Sequence, residues 1–400
     1  MIINKLDIRE QNEATVLKAI IENKNISRAN ISTLTKLNKA SVSQIIKNLI
    51  ENDIVEEVGI GNASSMGGRK PIQLHFNGRC GLALAFDVGY NYVAGMLAYL
   101  DGEVIRLEER KNTPINSENI LPTVQSIITN FLSQAPVTPH GLVGISLAIH
   151  GIVNDNRITF TPYYDLSGLD IKEPLEQLFS VPVFVENEAN LNAVGEYCFM
   201  TTGDYQKIIS LSIHSGIGAG TVANGSLQSG SHGFSGELGH STLFPNGKFC
   251  PCGNKGCLEQ YASNRVLFDT FAKLKDLDFV NSDIFAAAYN AGDVDAIRLA
   301  LENVDYLSIG LNNIIVAEDP ELLIVNSSVY RKIPDLLPRI RRKMVSRFTQ
   351  SITIQTSLLG DHAPLYGGIA QATSHFLKIQ NLRLGMLKKW ASSNCSWRNP

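Results

Sequence analysis

The sequence contains no apolar run that approaches the roughly 18 residues needed for a membrane-spanning helix. Its first ten residues are charged and do not open into an apolar signal segment, so we expect a cytoplasmic protein with no membrane partner. A strong charge of one sign is also lacking, since 35 Lys and Arg stand against 38 Asp and Glu. Cysteine is scarce, and three of the six cysteines lie within eight residues, which favours a metal site over disulfides.

Length and composition predict more than one domain, because 400 residues exceed what a single hydrophobic core normally organises. Residues 1–79 carry eleven Lys and Arg against eight Asp and Glu, a net charge of +3, which leaves −6 for the rest of the chain. A modestly basic head suits a polyanionic partner, although a difference of this size is also typical of a solvated surface.

The first 78 residues have the pattern of a winged helix-turn-helix domain. Ser27 and Asn38 are suited to cap two short helices, of which the second presents small polar and basic residues outward. The segment IVEEVGIGNASSMGGRKPIQLHF then predicts two strands around a Gly/Ser loop, a wing whose basic tip suits a narrow minor groove. A three-helix domain with a polar loop is the alternative. The predicted DNA contacts are Asn38, Lys39, Ala40, Ser41, Ser43, Gln44, Lys47, Gly68, Arg69 and Lys70.

From Cys80 onward, apolar strand-like runs alternate with helical segments and predict an α/β body in which one scheme occurs twice. In the first half, a strand delivers Asp-Val-Gly into a turn, where the glycine permits close phosphate approach and the aspartate can hold a metal-bound water. A glycine-rich turn follows the strand KIISLSI in the second half, and YGG comes later. Each motif alone is equally typical of a tight turn. The candidate phosphate-loop residues are Asp87, Gly89, Ser215, Gly216, Gly218, Gly367 and Gly368.

The most specific pattern is G-H-x9-C-x-C-G-x2-G-C, which contains His240, Cys250, Cys252 and Cys257. One imidazole and three thiolates make a closed tetrahedral ligand set for a structural Zn²⁺, with no position left open for water. Free buried cysteines are the alternative. The glycines between the cysteines allow the chain to fold around an ion.

Four further side chains are candidates for binding a sugar. Glu237 and Glu259 flank the metal ligands, so the loop should hold both carboxylates in place to accept hydroxyl hydrogen bonds. Asn187 and Glu188 lie between an apolar strand and a helix, which places a carboxylate at a helix N-terminus facing a cleft. A solvated helix start is the alternative.

In order, DVG, ENEAN, HSGIGAG, GELGH, the cysteine motif and YGG resemble the ROK family (repressors, open reading frames and kinases) over residues 80–380. The winged helix with GGRKP resembles its repressor branch, and GRKPIQLHFN, VPVFVENEAN and GFSGELGH are most similar to its xylose-responsive members. The resemblance implies two actin-like, ribonuclease H-like α/β lobes of the sugar kinase type. It also implies a homodimer, or a tetramer, that leaves an A/T-rich palindromic operator when xylose binds the cleft.

The resemblance assigns sugar contacts to Asn187, Glu188, Glu237, His240 and Glu259, with His240 bridging sugar and zinc through its two nitrogens. The loop on the sugar side corresponds to His150 and Gly151.

The chain departs from the kinases of this family at three places. They carry Asp in N-D-A-N as the base that takes the proton from the sugar hydroxyl, whereas this chain has Glu188. The extra methylene moves the carboxylate by about an ångström, which can cost on the order of a hundredfold in rate. His150-Gly151 replaces Pro-Gly, and His214-Ser215 replaces Thr-Gly. We therefore expect no enzyme but a sugar-responsive repressor. The alternatives are an ATP-dependent sugar kinase and a repressor that responds to glucose or another sugar.

The predicted domain ranges are 1–78 for the winged helix, 79–190 for the first lobe, 191–385 for the second lobe with the metal loop, and 386–400 for a tail with no assigned structure.

Overall fold

The structure is a computed structural model that describes residues 5–23, 25–60, 71–200 and 203–385. Gly68, Arg69 and Lys70 of the predicted wing tip lie outside the described residues, as does the predicted tail 386–400.

The head is the winged helix-turn-helix that the sequence predicts. Ser27 caps the second helix by accepting a hydrogen bond from the amide of Asn30, and Asn38 caps the third by accepting one from Ser41. The last strand pairs antiparallel with both other strands. The helices are α1 (Lys5–Glu22), α2 (Arg28–Thr35) and α3 (Lys39–Glu51), and the strands are β1 (Ile26–Ser27), β2 (Val55–Ile60) and β3 (Ile72–Phe76).

The first lobe is built on a five-stranded mixed sheet in the order β10-β7-β4-β5-β6. Three consecutive antiparallel strands are extended by two parallel strands, and the helical crossovers bury the apolar residues that the sequence shows in unbroken runs. The strands are β4 (Leu82–Gly89), β5 (Tyr92–Tyr99), β6 (Val104–Lys111), β7 (Leu142–Ile149), β8 (Ile152–Asn154), β9 (Arg157–Phe160) and β10 (Val183–Asn187), and the helices are α4 (Ile120–Leu132) and α5 (Lys172–Phe179).

The second lobe repeats this topology in the sheet β13-β12-β11-β14-β15, which confirms the predicted duplication. Its strands are β11 (Lys207–Ile213), β12 (Ile217–Ala223), β13 (Ser226–Leu227), β14 (Leu322–Asn326) and β15 (Thr353–Thr356). Its helices are α6 (Glu188–Phe199), α7 (Glu259–Ala262), α8 (Asn264–Lys275), α9 (Ser282–Asn290), α10 (Val294–Glu318), α11 (Ser328–Lys332), α12 (Leu336–Lys343) and α13 (Ala363–Leu377). Two actin-like α/β lobes therefore follow the head, as the sequence predicts.

Helices α6 and α13 pack against each other at the junction of the lobes. Helix α6 also packs on β11 and β12, whereas α13 packs on β4 and β7 of the first sheet. The prediction of a phosphate loop at Gly367 and Gly368 is wrong, because both residues lie inside α13 and are buried. A Cβ atom at Gly367 would lie 1.9 Å from the carbonyl oxygen of Leu191, so this glycine permits close helix packing.

The head rests on the body through polar and apolar contacts. Nε2 of His140 lies 2.8 Å from the carbonyl oxygen of Asn52, and Lys378, just after α13, forms an ion pair of 2.8 Å with Glu10 of α1. Buried side chains of the head, α6 and α13 also belong to one continuous apolar cluster. Head and lobes are thus packed together rather than joined by a linker alone. Among the helices of the described ranges, none is both long and apolar enough to cross a membrane.

Candidate functional site

One cavity between the two lobes brings together all seven predicted sugar contacts, and we call it the inter-lobe cavity. The empty space between its walls is about 610 Å³, which includes a part that is open to solvent. Its wall includes turns after β7, β10 and β11, because the carboxyl ends of parallel strands meet at one edge of a sheet. The seven residues are His150, Gly151, Asn187, Glu188, Glu237, His240 and Glu259.

The four predicted metal ligands converge beside this cavity. All four ligand atoms lie within 4.8 Å of one another, with Cys252 Sγ and Cys257 Sγ 3.7 Å apart and His240 Nδ1 3.4 Å from Cys250 Sγ. A tetrahedral Zn²⁺ with bonds of about 2.3 Å to sulfur and 2.0 Å to nitrogen requires a sulfur–sulfur separation of about 3.8 Å and a sulfur–nitrogen separation of about 3.5 Å. The donor set and its geometry therefore fit a tetrahedral ion of this size.

Local structure explains why the cluster forms without extended strands. Short antiparallel bridges join Thr242 to Cys257 and Phe249 to Lys255, and Gly256 has a φ of +80°. Burial raises the pKa values of the Cys250 and Cys257 thiols. Thiols raised in this way are protonated in the absence of a cation, so binding of a metal ion would release their protons.

His240 connects the metal cluster with the cavity. Its Nδ1 faces Cys250, and its Nε2 lies 3.6 Å from Oε2 of Glu237. Oε1 of Glu259, at the start of α7, lies 3.8 Å from His240 Nδ1 and accepts a hydrogen bond from Gln260. Burial raises the pKa of Glu237, and the neighbouring Glu259 adds to this effect while His240 opposes it. Two carboxylates and one imidazole nitrogen thus line the cavity from the side of the metal loop.

The opposite wall is formed by the start of α6. Glu188 is its first residue, is 6% exposed, and accepts a hydrogen bond of 2.8 Å from Ser212 Oγ of β11. Asn187 caps the helix through its side-chain oxygen and donates from Nδ2 to the carbonyl of Gly151 at 2.7 Å. Asn187 therefore fixes the loop at Gly151 as well as facing the cavity.

The first candidate phosphate loop is already occupied by side chains of the protein. Asp87 accepts hydrogen bonds from Nε2 of His150 at 2.9 Å and from the hydroxyl of Tyr92 at 2.8 Å. A Cβ atom at Gly89 would lie only 2.1 Å from the ring of Tyr92, which covers this glycine. The carboxylate of Asp87 is therefore engaged by the protein itself, whereas Gly89 has no room for a side chain but lines a second cavity of the cleft.

The second candidate phosphate loop is the turn between β11 and β12, and it lines the inter-lobe cavity through Ser215, Gly216 and Gly218. A Cβ atom at Gly216 would lie 2.9 Å from Oε2 of Glu259, and one at Gly218 would lie 2.9 Å from the Cβ of Ala189. Packing against the carboxylate and α6 therefore accounts for both glycines without a nucleotide.

The predicted DNA-contacting residues on α3 form one outward face of the head. Ser41 is half-buried and the others are exposed, while Val42, Ile45, Ile46 and Leu49 on the other face are buried. This two-faced helix is of the kind that enters a major groove. The six exposed residues are Asn38, Lys39, Ala40, Ser43, Gln44 and Lys47.

Sequence reasoning missed several polar residues in and around the cleft. Tyr92 reaches Asp87 because it pairs with Gly89 across β4 and β5, a register that the sequence alone does not reveal. Arg265 of α8 donates to the carbonyl of Ser215 and to the hydroxyl of Tyr163, and so joins the two lobes at the cavity. The aromatic pair in FTPYYDLS was the available signal for Tyr163.

Two duplicated α/β lobes with a cleft between them define the actin-like sugar kinase architecture, here with a winged-helix head. Residues 83–374 match the ROK family, and the chain belongs to that family. The chain is 37% identical over 379 residues to the xylose repressor of Bacillus spizizenii. The matched region covers 93% of this chain and 97% of that repressor.

Two solved structures are similar over much of the chain. A ROK family transcriptional regulator, a homologue of the Escherichia coli MLC protein, is 26% identical with a TM-score of 0.79, covering 92% of this chain and 98% of that one. A ROK family glucokinase from Streptomyces griseus, solved with glucose and AMPPNP, is 25% identical with a TM-score of 0.64. The match covers 73% of this chain and 99% of the glucokinase.

Proposed function

We propose that this protein is a transcriptional repressor that binds operator DNA through its head and releases it when xylose binds in the inter-lobe cavity. The observation that carries the proposal is the cavity itself, which gathers the seven predicted sugar contacts in a chain similar to a xylose repressor over nearly its whole length. The protein would act as a homodimer, since two α3 helices are needed to contact both halves of a palindromic site.

The inter-lobe cavity would bind xylose through Glu188, Glu237 and Glu259, whose carboxylates would accept hydrogen bonds from the sugar hydroxyls. A structural Zn²⁺ held by His240 and the three cysteines would fix the loop that carries Glu237 and Glu259. His240 would then present Nε2 to the sugar while Nδ1 binds the metal, an assignment supported by the opposite directions of the two nitrogens.

Packed helices offer a route by which sugar binding would change the position of the head. Glu188 begins α6, which packs closely on α13, and the ion pair between Lys378 and Glu10 links the end of α13 to α1. A sugar that binds one arrangement of the lobes more tightly than another would shift the balance between them. The paired heads would then lose the spacing that both half-sites require.

Titration of the protein–operator complex with xylose tests this proposal directly. Fluorescence anisotropy of labelled operator DNA should show release, with an operator affinity lowered by about 10- to 100-fold at saturating xylose. Arabinose serves as the matched five-carbon control. An operator affinity that does not change at saturating xylose would sink the proposal.

Residues on α3 should divide into two groups when they are substituted. Gln44→Ala should weaken binding to the operator by about 1–3 kcal/mol and leave binding to unrelated DNA unchanged, since a side chain that contacts base edges provides specificity. Lys39→Ala should weaken binding to the operator and to unrelated DNA about equally, since Lys39 would contact phosphate. It should also reduce the slope of log affinity against log salt concentration by about one. Lys18→Ala on α1 is the control. Equal losses on both DNAs for Gln44→Ala would contradict this assignment.

We further propose that the cleft does not catalyse phosphoryl transfer. The proposal rests on Asp87, whose carboxylate binds His150 and Tyr92 in this structure instead of a metal-bound phosphate. Glu188→Asp, which restores the side chain of the family kinases, should therefore still produce no sugar phosphate from ATP and xylose or glucose. A coupled assay for ADP release measures this, and sustained turnover by either the wild type or the variant would refute it.

A further inference from the structure

His150 lies between two cavities of the cleft. It lines the inter-lobe cavity, and it also lines a neighbouring cavity bounded by Gly89, Tyr92 and Tyr164. His150 therefore lies where the two cavities adjoin, together with Tyr163, His214 and Ser215, and we call this shared wall the partition.

The partition is held firmly by its neighbours. Nε2 of His150 lies 2.9 Å from both Oδ1 of Asp87 and the hydroxyl of Tyr92, and Tyr92 also donates to Asp87. The backbone amide of His150 donates to the hydroxyl of Tyr164 at 3.0 Å, and Tyr164 in turn donates to the carbonyl of Val88 at 2.8 Å. Side chain and backbone are both fixed to β4, so the ring cannot turn aside without breaking charge-assisted hydrogen bonds.

Electrostatics strengthen this arrangement. Burial opposes a charge on His150, but the carboxylate of Asp87 and the charge of Glu188 raise its pKa to about 9. A pKa in this range favours the imidazolium form at neutral pH, which the carboxylates of Asp87 and Glu188 attract.

The position of His150 beside Glu188 has a consequence for the size of the sugar. A glucokinase phosphorylates the exocyclic hydroxyl of glucose, so the carboxylate at its base position faces that end of the hexose. Glu188 occupies the corresponding position here by resemblance. Xylopyranose is glucopyranose without the exocyclic hydroxymethyl group, so a filled space beside Glu188 would exclude the hexose and still accept the pentose.

We infer that His150 is the residue that restricts the inter-lobe cavity to a five-carbon sugar, with Asp87 and Tyr92 acting as positioning residues that hold its ring in place. This inference rests on the proposed function, because it assigns the selectivity of the same site. Asp87 of the first candidate phosphate loop would then hold the partition rather than a metal-bound phosphate.

Calorimetric titration of the full-length protein with D-xylose and with D-glucose tests the inference. The wild type should bind xylose at least about tenfold more tightly than glucose. His150→Ala should reduce this preference by about tenfold or more, and Tyr92→Phe should change it in the same direction by a smaller factor. Tyr90→Phe is the matched control, because Tyr90 lines the same neighbouring cavity but donates no hydrogen bond to Asp87 among those found in the described residues.

The readout is the ratio of the two affinities, since a purely structural role for His150 would weaken both sugars alike and leave the ratio unchanged. Equal wild-type affinities, binding of neither sugar, or an unchanged ratio in Tyr92→Phe and His150→Ala would each overturn the inference. If His150→Ala does not fold, the Tyr92→Phe ratio decides. Failure of xylose to release the operator would instead overturn the proposed function, whereas the affinity ratio tests only the sugar selectivity of the cavity.

Discussion

Replacing Cys257 with serine should remove the bound metal ion and lower the affinity for xylose by on the order of a hundredfold. Cys257 is fully buried, and its Sγ lies 3.7 Å from that of Cys252 in a cluster whose four ligand atoms are within 4.8 Å of one another. A serine hydroxyl is a poor ligand for Zn²⁺, so the loop would lose the ion that fixes it. Glu259 lies two residues after Cys257 and would lose its position together with the loop.

Metal analysis and calorimetry on the same sample measure both effects. Cys80→Ala is the matched control, because it removes a buried thiol outside the loop and should keep both metal and sugar affinity. Chelation of the wild type should reproduce the loss of sugar binding, and addition of Zn²⁺ should restore it. Full sugar affinity in a metal-free Cys257→Ser protein would show that the ion does not support the site.

Glu188→Gln should lower xylose affinity by about 2–3 kcal/mol, on the order of a hundredfold, without loss of metal. The substitution preserves size and an acceptor for Ser212, but it removes the negative charge and an acceptor oxygen that faces the inter-lobe cavity. A buried charged acceptor contributes more to a hydroxyl hydrogen bond than a neutral one does.

Calorimetry with xylose, together with metal analysis, distinguishes this loss of xylose affinity from one caused by loss of the metal ion. Glu302→Gln provides the control, since Glu302 lies on the surface of α10 in an ion pair with Arg298 and should leave sugar affinity unchanged. Retained affinity in Glu188→Gln would remove this carboxylate from the proposed set of sugar contacts.

Local patterns in the sequence are sufficient to predict most of the architecture. Ser27 and Asn38 cap their helices as predicted because a cap depends on residues three positions apart. The duplicated sheet follows from apolar strand runs and the turns between them, and the metal cluster follows from a spacing that few other structures would require. These features depend on short distances along the chain.

Contacts between distant segments could not be predicted in this way. Gly367 and Gly368 look like a loop in the sequence, yet they lie inside α13, where close packing against α6 and the first sheet requires small residues. Asp87 and His150 are 63 positions apart, and Tyr92 reaches them only through the pairing of β4 with β5. The sequence therefore predicts several of the residues that line the cleft, but not which of them contact one another.

The central claim is that sugar binding and operator binding oppose each other within one protein. Thermodynamic linkage requires this opposition to be reciprocal. Xylose affinity should therefore be measured by calorimetry with the free protein and with the protein saturated by operator DNA. The operator should weaken xylose binding by the same factor, about 10- to 100-fold, by which xylose weakens operator binding. An equal xylose affinity in the two samples would contradict the account.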